Sequence, residues 1–215
     1  MEQFFGVTGN LLLGFAENIK LFFATLLFAI PLGLIIALFL LSKIKSVKAL
    51  FEIIVWIVRG TPLMLQLFVV FYVPGIVFDV PMRNRFLAAL IAFVINYACY
   101  FAEIFRGGIL SIPVGQYEAG RVLGMSKSQI FFKIILMQVV KRIVPPMGNE
   151  IITLVKDTSL ARVIAVAEII MSATEYSAVG LIWPLFYTGA FFLIFNGLLT
   201  VLLGKLEKKL DYYKG

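Results

Sequence analysis

Two long stretches without a charged residue constrain the fold of this chain more than any other feature. Leu21–Leu41 supplies 21 uncharged residues and 176–204 supplies 29. A helix needs about 20 apolar residues to cross the hydrocarbon core of a bilayer. Because 61% of the chain is hydrophobic and its mean hydropathy is +1.01, the sequence predicts an integral membrane protein rather than a soluble globular domain.

The apolar pattern predicts an all-α integral membrane fold that forms one domain over residues 1–215. Five transmembrane helices are expected at about 19–41, 51–73, 86–106, 143–168 and 184–204. Met1–Asn18 is predicted to form a short interfacial helix outside the membrane, and Thr174–Gly180 an external loop.

Several residues predict interruptions of these spans. Pro62 disfavours a helical conformation at Thr61, so the second span should break there. Pro145-Pro146 should separate the fourth span from the helix before it. The side chains of Asp157-Thr158-Ser159 compete for backbone hydrogen bonds, which favours a further break.

The distribution of basic residues predicts the orientation in the membrane. The formal net charge is +7, and 13 of the 19 basic residues fall in three segments that lie on one side if the spans alternate. They are Lys43, Lys45, Lys48; Arg106, Arg121, Lys127, Lys133, Lys141, Arg142; and Lys205, Lys208, Lys209, Lys214. The positive-inside rule makes that side cytoplasmic, with the N-terminus outside and the C-terminus inside. Topology and anionic membrane lipid therefore account for the charge, and nucleic acid is not an expected partner.

The composition argues against most membrane enzymes. The chain has no histidine and one cysteine, Cys99. The usual zinc ligand and the usual acid–base group near neutral pH are therefore missing, and no metal site is predicted. The sequence also lacks the phosphate-binding loop G-x-x-x-x-G-K-[ST], so we expect no ATP hydrolysis by this chain.

The polar segment at about 113–138 is predicted to form a helix-turn-helix. Pro113 favours a helix start, and Gly124 suits the left-handed residue that ends this helix. Ser126 and Gln129 have the spacing of a capping box, so a second helix should begin at about Lys127. Its apolar positions Ile130, Phe131, Ile134, Ile135 and Val139 should form one buried face.

The first helix of this segment has the features of a docking surface. Ala119 and Gly120 leave little side chain above the backbone, so that another protein can approach closely beside Glu118 and Arg121. The alternative is an ordinary solvated helix end. The candidate contact residues are Tyr117, Glu118, Ala119, Gly120, Arg121 and Gly124.

Several motifs in order along the chain resemble a known family. Glu118-Ala119-Gly120, followed by Gly124 and Ile134-x-Leu136, resembles the cytoplasmic EAA loop of ABC-importer permeases. Met137 stands where this family usually has proline, and Gly120 replaces its second alanine. Further segments resemble the polar amino-acid permeases (histidine, glutamine, glutamate, arginine and opine type): 59–62 (RGTP), 102–108 (AEIFRGG) and 155–160 (VKDTSL). The resemblance runs from about Leu13 to the C-terminus.

This resemblance implies a type I ABC-importer permease in the cell membrane, with 113–138 as a cytoplasmic coupling element. It implies a separate ATPase subunit that carries ATP and magnesium, so that no cofactor is expected in this chain. It also implies a second permease, either identical or homologous, and an extracytoplasmic amino-acid-binding protein. The substrate would be a polar amino acid, and basic amino acids, which are cationic, belong to this class.

Polar residues within the spans are candidates for the substrate path. Asn96, Tyr97, Tyr100 and Glu103 recur on one helical face. Glu103 and Asp157 could accept the substrate ammonium, whereas Arg59 or Lys156 could hold its carboxylate. The alternatives are interhelical hydrogen bonding or a buried ion network. The full set is Arg59, Gln66, Asn96, Tyr97, Tyr100, Glu103, Lys156, Asp157, Thr158 and Ser159.

Two other functions remain open from sequence. An ion-coupled secondary transporter or channel subunit would explain the charges inside the membrane. It would not explain the polar helix-turn-helix at about 113–138, which we call the docking segment. Such transporters generally contain internal repeats, and none is visible in this sequence. A membrane enzyme is disfavoured by the lack of histidine and of paired carboxylates.

Overall fold

The computed structural model describes residues 2–210, and within this range the secondary structure is helical with no strand. Nine α-helices follow one another in these described residues: α1 Glu2–Leu40, α2 Lys45–Gly60, α3 Leu63–Phe78, α4 Arg85–Leu110, α5 Val114–Val122, α6 Lys127–Ile130, α7 Leu136–Asp157, α8 Ile169–Ala178 and α9 Trp183–Leu210. A π-helical turn, Phe131–Ile135, joins α6 to α7, and a 3₁₀ helix, Thr158–Ile164, follows α7. Lys214, in the predicted basic tail, lies outside the described residues.

Helices α1 and α4 form the centre of the fold. Gly33 of α1 lies so close to α4 that an added Cβ would be 2.9 Å from the Ala98 carbonyl oxygen and 2.9 Å from the Phe101 Cβ. Residues of α4 such as Phe93 and Phe101 are completely buried. Small residues at this crossing let the two backbones approach, as is usual between helices in membranes.

The predicted separate helix at Met1–Asn18 is wrong for the described residues, because α1 is continuous over 39 residues. Val7, Leu11 and Phe15 are buried and pack against Ile169 and Ala173 of α8. This apolar stripe repeats every four residues, so packing on α8 extends the helix well beyond the predicted span.

The predicted break at Thr61 is confirmed. Helices α2 and α3 meet at an angle of 105°, and Thr61 has extended backbone angles. The Thr61 hydroxyl donates to the carbonyl oxygen of Ile57 (2.9 Å), and the Gln66 amide donates to that of Val58 (2.7 Å). These bonds satisfy carbonyls that the break would otherwise leave without a donor.

The predicted break at Pro145-Pro146 is wrong, since both prolines lie inside α7. Packing on both sides holds this part of the helix. Ile143 fills the space above Gly108 of α4, and Gly148 faces Leu203 of α9. Tertiary contacts thus override the local preference of proline.

The π-helical turn changes which residues are buried in the second helix of the segment 113–138. Ile130, Ile135 and Val139 are buried as predicted, whereas the Phe131 side chain is 43% exposed. A π-helical turn adds a residue to the helical repeat, so a face read at 3.6 residues per turn is displaced within it.

The predicted break at Asp157-Thr158-Ser159 is confirmed, because α7 ends at Asp157. The hydroxyls of Thr158 and Ser159 donate to the carbonyl oxygens of Val155 (2.7 Å) and Lys156 (2.8 Å). The predicted fourth span, 143–168, is therefore not one helix.

The predicted external loop Thr174–Gly180 is mostly helical, because α8 continues to Ala178. Ala173 of this helix is buried, and Gly180 adopts a positive φ of 88° just after the helix. The turn is therefore confined to the last residues of the predicted loop.

Within residues 2–210, three helices are long and apolar enough to cross a bilayer: Gln3–Leu40, Arg85–Leu110 and Trp183–Leu210. The bent pair α2 and α3 supplies a fourth candidate if it counts as one span. The chain is thus a multi-pass helical membrane protein, and a fifth span that includes α7 remains a prediction.

Candidate substrate cavity and coupling surface

The break between α2 and α3 opens into a polar cavity of about 550 Å³. Its wall comes from three parts of the chain: the α2–α3 break, the middle of α4, and the last turns of α7 with the start of the 3₁₀ helix. The lining residues are Arg59, Gly60, Thr61, Pro62, Leu63, Asn96, Tyr97, Tyr100, Glu150, Thr153, Asp157 and Leu160. This volume lies in the range that accommodates a small ligand.

Two carboxyl side chains enter the cavity from α7. Asp157 accepts a hydrogen bond of 2.7 Å from the Tyr97 hydroxyl, and the Tyr97 side chain is almost completely buried. This bond fixes the Asp157 carboxyl against α4. Glu150 lies on the same face of α7, two turns earlier. The sequence reasoning missed Glu150, although its spacing to Thr153 and Asp157 (i, i+3, i+7) indicates one helical face.

A cation from α2 also lines the cavity. Arg59 is in the last turn of α2, and its guanidinium carbon lies 5.1 Å from the centroid of the Tyr100 ring. Stacking on this ring holds the guanidinium while leaving its N–H groups available. None of the salt bridges within residues 2–210 includes Arg59.

Gln66 and Asn96 support the cavity from α3 and α4. The Asn96 amide donates to the Gln66 side-chain oxygen (3.1 Å), while the Gln66 amide bonds the backbone at the α2–α3 break. Asn96 lines the cavity and Gln66 stands behind it. The pair therefore ties the middle of α4 to the bend that carries Arg59.

Besides Gln66, four of the residues predicted for the substrate path do not line the cavity. The Glu103 carboxylate forms a salt bridge of 2.7 Å with Arg106, one turn along α4. Lys156 is exposed and points away, because neighbouring residues of a helix face different directions. Thr158 is buried outside the cavity wall, and the Ser159 hydroxyl is bonded to the backbone of α7.

The docking segment has the local structure that the sequence predicts. Helix α5 begins after Pro113 and ends before Gly124, which has a positive φ of 71°. Ser126 and Gln129 form the capping box through bonds of 3.3 and 2.8 Å. This geometry turns the chain back so that α6 packs against α5.

The surface of α5 differs from the prediction at one residue. Glu118, Ala119 and Arg121 are exposed, and Tyr117 is half-buried. Gly120 is buried instead, and an added Cβ would be 2.7 Å from Ile130 Cγ1. The absence of a side chain at Gly120 therefore serves packing between α5 and α6.

Large apolar side chains extend this surface beyond the residues found from the sequence. Val122 is 87% exposed and Leu123 is 76% exposed at the end of α5. Nearby, Phe132 is also exposed. Such a group beside the charges of Glu118 and Arg121 is typical of a protein-contact site.

Comparisons with known proteins identify the family of this chain. Residues 29–212 match the family described as binding-protein-dependent transport system inner membrane component. The L-cystine transport system permease protein TcyB of Bacillus subtilis (strain 168) is 39% identical over 204 residues, which cover 93% of this chain and 86% of that protein. The arginine ABC transporter permease protein ArtM of Haemophilus influenzae is 32% identical over 91% of this chain and 90% of its own length.

Solved structures show the same fold. A chain from the crystal structure of an amino acid ABC transporter with histidines superposes with a TM-score of 0.87 at 30% identity, covering 96% of this chain and 97% of the other. A chain of the inward-facing MetNI methionine ABC transporter gives a TM-score of 0.69 at 19% identity over 95% and 94% of the two chains, which supports the fold alone. The chain therefore belongs to the inner membrane components of binding-protein-dependent transport systems.

Proposed function

We propose that this chain is the permease subunit of an ATP-binding-cassette importer, and that its polar cavity binds an amino acid. One observation carries the proposal: a guanidinium, from Arg59, and two carboxyl side chains, from Glu150 and Asp157, line the same cavity. An amino-acid zwitterion carries the complementary pair of charges. The family and the amino-acid permeases among its relatives support this class of substrate.

The cavity residues take distinct roles in this proposal. Arg59 binds the substrate carboxylate, for which a guanidinium offers paired donors. Asp157 accepts the ammonium, and Tyr97 positions Asp157 through its hydroxyl. Glu150 sits further along the same wall, where it can meet the side chain of a cationic or polar amino acid. The uncharged polar side chains of Thr153 and Asn96 complete the wall of the cavity.

The exposed surface of α5 forms the coupling surface, which links transport to ATP hydrolysis in the partner subunit. Glu118, Ala119, Arg121, Val122 and Leu123 contact a cytoplasmic ATPase subunit, which carries ATP and magnesium. Closure of the ATPase subunits moves α5 and α6 as one packed unit, because Ile130 locks the two helices together. The motion passes through the π-helical turn into α7, the helix that carries Glu150 and Asp157.

The remaining partners follow from the family. A second permease, identical or homologous, completes the path across a two-fold axis. An extracytoplasmic binding protein delivers the amino acid. With five spans, the N-terminus lies outside and the basic segments lie in the cytoplasm.

The cavity is tested by charge removal with a neighbouring control. The complex with its ATPase and binding protein is reconstituted in liposomes, and amino-acid uptake is measured against substrate concentration. Asp157→Asn should raise the half-saturating concentration about tenfold or more, since losing one charge-assisted bond costs ~1.5–3 kcal/mol. Lys156→Gln, at the adjacent exposed position, should leave it nearly unchanged.

Coupling is tested in the same liposomes. Glu118→Lys should abolish ATP-dependent uptake while leaving the cavity intact. Uptake that continues without the ATPase would contradict the proposal and favour an ion-coupled transporter. An equal response to Asp157→Asn and Lys156→Gln would contradict the assignment of the cavity.

A further inference from the structure

A second, larger cavity of about 890 Å³ lies between the α3–α4 connection, α1 and the segment before α8. Arg83, Asn84 and Arg85 form one rim, Glu17 lies on α1, and Ala165, Val166 and Ala167 form the floor with their apolar neighbours. The Asn84 side chain accepts a hydrogen bond of 3.0 Å from the Leu87 backbone N–H and so caps α4. Arg83 and Arg85 lie on either side of this cap, so the cap bond anchors the end of the segment that carries both arginines.

The position of these arginines is unusual for a membrane protein. The α3–α4 connection lies on the side opposite the three basic segments if the spans alternate, and short outer loops of membrane proteins are poor in Lys and Arg. Neither arginine belongs to a salt bridge within residues 2–210. The nearby Glu17 is already paired with Lys20 at 2.6 Å. The two exposed positive charges therefore lack a partner of opposite charge in the described chain.

The rim stands next to the wall that separates the two cavities. The 3₁₀ helix Thr158–Ile164 contributes Leu160 to the central cavity, and the residues directly after it line the outer one. Consecutive parts of one segment therefore line the two cavities.

We propose that Arg83 and Arg85 form a docking site for acidic side chains of the extracytoplasmic binding protein. The inference rests on the proposed function and adds the surface that receives this partner. Both arginines are exposed, so ion pairs with a small amino acid there would remain in water and be weak. A protein surface that covers the rim shields the same charges from solvent and gains specificity and association rate from them.

The permease and its ATPase are placed in nanodiscs, and ATP hydrolysis is measured against the concentration of the purified, ligand-loaded binding protein that stimulates it. The wild type gives the reference value for half-maximal stimulation. Arg83→Glu/Arg85→Glu should raise the half-maximal concentration of binding protein about tenfold or more, because attraction becomes repulsion. Added salt should raise this concentration for the wild type and lower it for the variant, because salt screens attraction and repulsion alike. Basal ATP hydrolysis and the rate at saturation should be retained, and Arg83→Gln/Arg85→Gln should give a smaller shift.

Lys43→Glu/Lys45→Glu provides the matched control, since these exposed lysines have the same spacing on the predicted cytoplasmic side. An unchanged half-maximal concentration in the arginine variants, or an equal shift in the control, would overturn the docking site. A variant that instead needs more free amino acid at saturating binding protein would show that the arginines hold the small ligand. Failure of every ligand-loaded binding protein to stimulate the wild type would refute the proposed function itself.

Discussion

Gly120→Ala tests whether the small residue in the coupling surface serves the chain itself or the partner. The new Cβ would lie 2.7 Å from Ile130 Cγ1 and 3.0 Å from its Cδ1. Ile130 is buried and β-branched, so its side chain has little freedom to move aside. Overpacking of this kind costs ~1–3 kcal/mol, and the better helix propensity of alanine returns up to ~1 kcal/mol. The net loss of packing between α5 and α6 should be ~1–2 kcal/mol.

Gly115→Ala is the matched control within α5, because no atom lies within 4 Å of an added Cβ there. It gains helix propensity without overpacking. Hydrogen exchange of the amides of Val114–Val122 measures the result. Exchange should accelerate about fivefold to thirtyfold in Gly120→Ala, the factor that corresponds to ~1–2 kcal/mol, and should slow or stay constant in Gly115→Ala.

A double-mutant cycle separates packing inside the chain from contact with the ATPase. Ile130→Ala alone leaves a cavity, but combined with Gly120→Ala it removes the atoms that collide with the new Cβ. The double variant should therefore be less destabilised than the sum of the single variants, by ~1 kcal/mol or more. Additive effects, or loss of ATPase coupling in Gly120→Ala with unchanged exchange, would refute this reasoning and assign Gly120 to the partner interface.

Three further substitutions test other parts of the fold in detergent, two by thermal unfolding and one by hydrogen exchange. Gly33→Ala should lower the melting temperature because the added Cβ would collide with the backbone of α4. Gly9→Ala, in the same helix, should not lower it, because no atom lies within 4 Å of a Cβ added there. Equal effects of the two substitutions would contradict the close crossing of α1 and α4. Ser126→Ala removes the cap of α6 and should cost ~1 kcal/mol, measured by faster exchange of the α6 amides, and unchanged exchange would show that the cap is dispensable. Thr158→Val removes the buried hydroxyl that Asn18 bonds at 3.0 Å and should cost ~1–3 kcal/mol; a melting temperature equal to that of the wild type would contradict a structural role for this bond.

The sequence predicted best where one residue decides the local backbone. Pro62 indicated the bend between α2 and α3, and Gly124 indicated the left-handed end of α5. Ser126 with Gln129 located the start of α6. In each case the signal is the geometry of a turn or cap, which depends on nearby residues and hardly on the rest of the fold.

The predictions failed where contacts distant in sequence decide. Pro145-Pro146 does not end the helix because α4 and α9 pack on either side of it, and no local pattern reports that packing. The burial of Gly120 depends in the same way on Ile130 across the turn. Within the cavity, Glu150 was overlooked because its importance appears only once the α2–α3 bend brings Arg59 into the cavity that Glu150 lines.

A buried polar network links the 3₁₀ helix Thr158–Ile164 to α1 and α8. Asn18 of α1 donates to the Thr158 hydroxyl (3.0 Å), and its side-chain oxygen accepts from the backbone N–H of Ile169 at the start of α8 (3.1 Å). The buried Glu168 caps α8 by accepting from Ile170 and Met171. Since Thr158 directly follows Asp157, any displacement of the 3₁₀ helix that opens the central cavity outward must strain or break these bonds. The same bonds therefore help to fix the position of Asp157, the carboxyl proposed to accept the substrate ammonium, and resist displacement of the 3₁₀ helix.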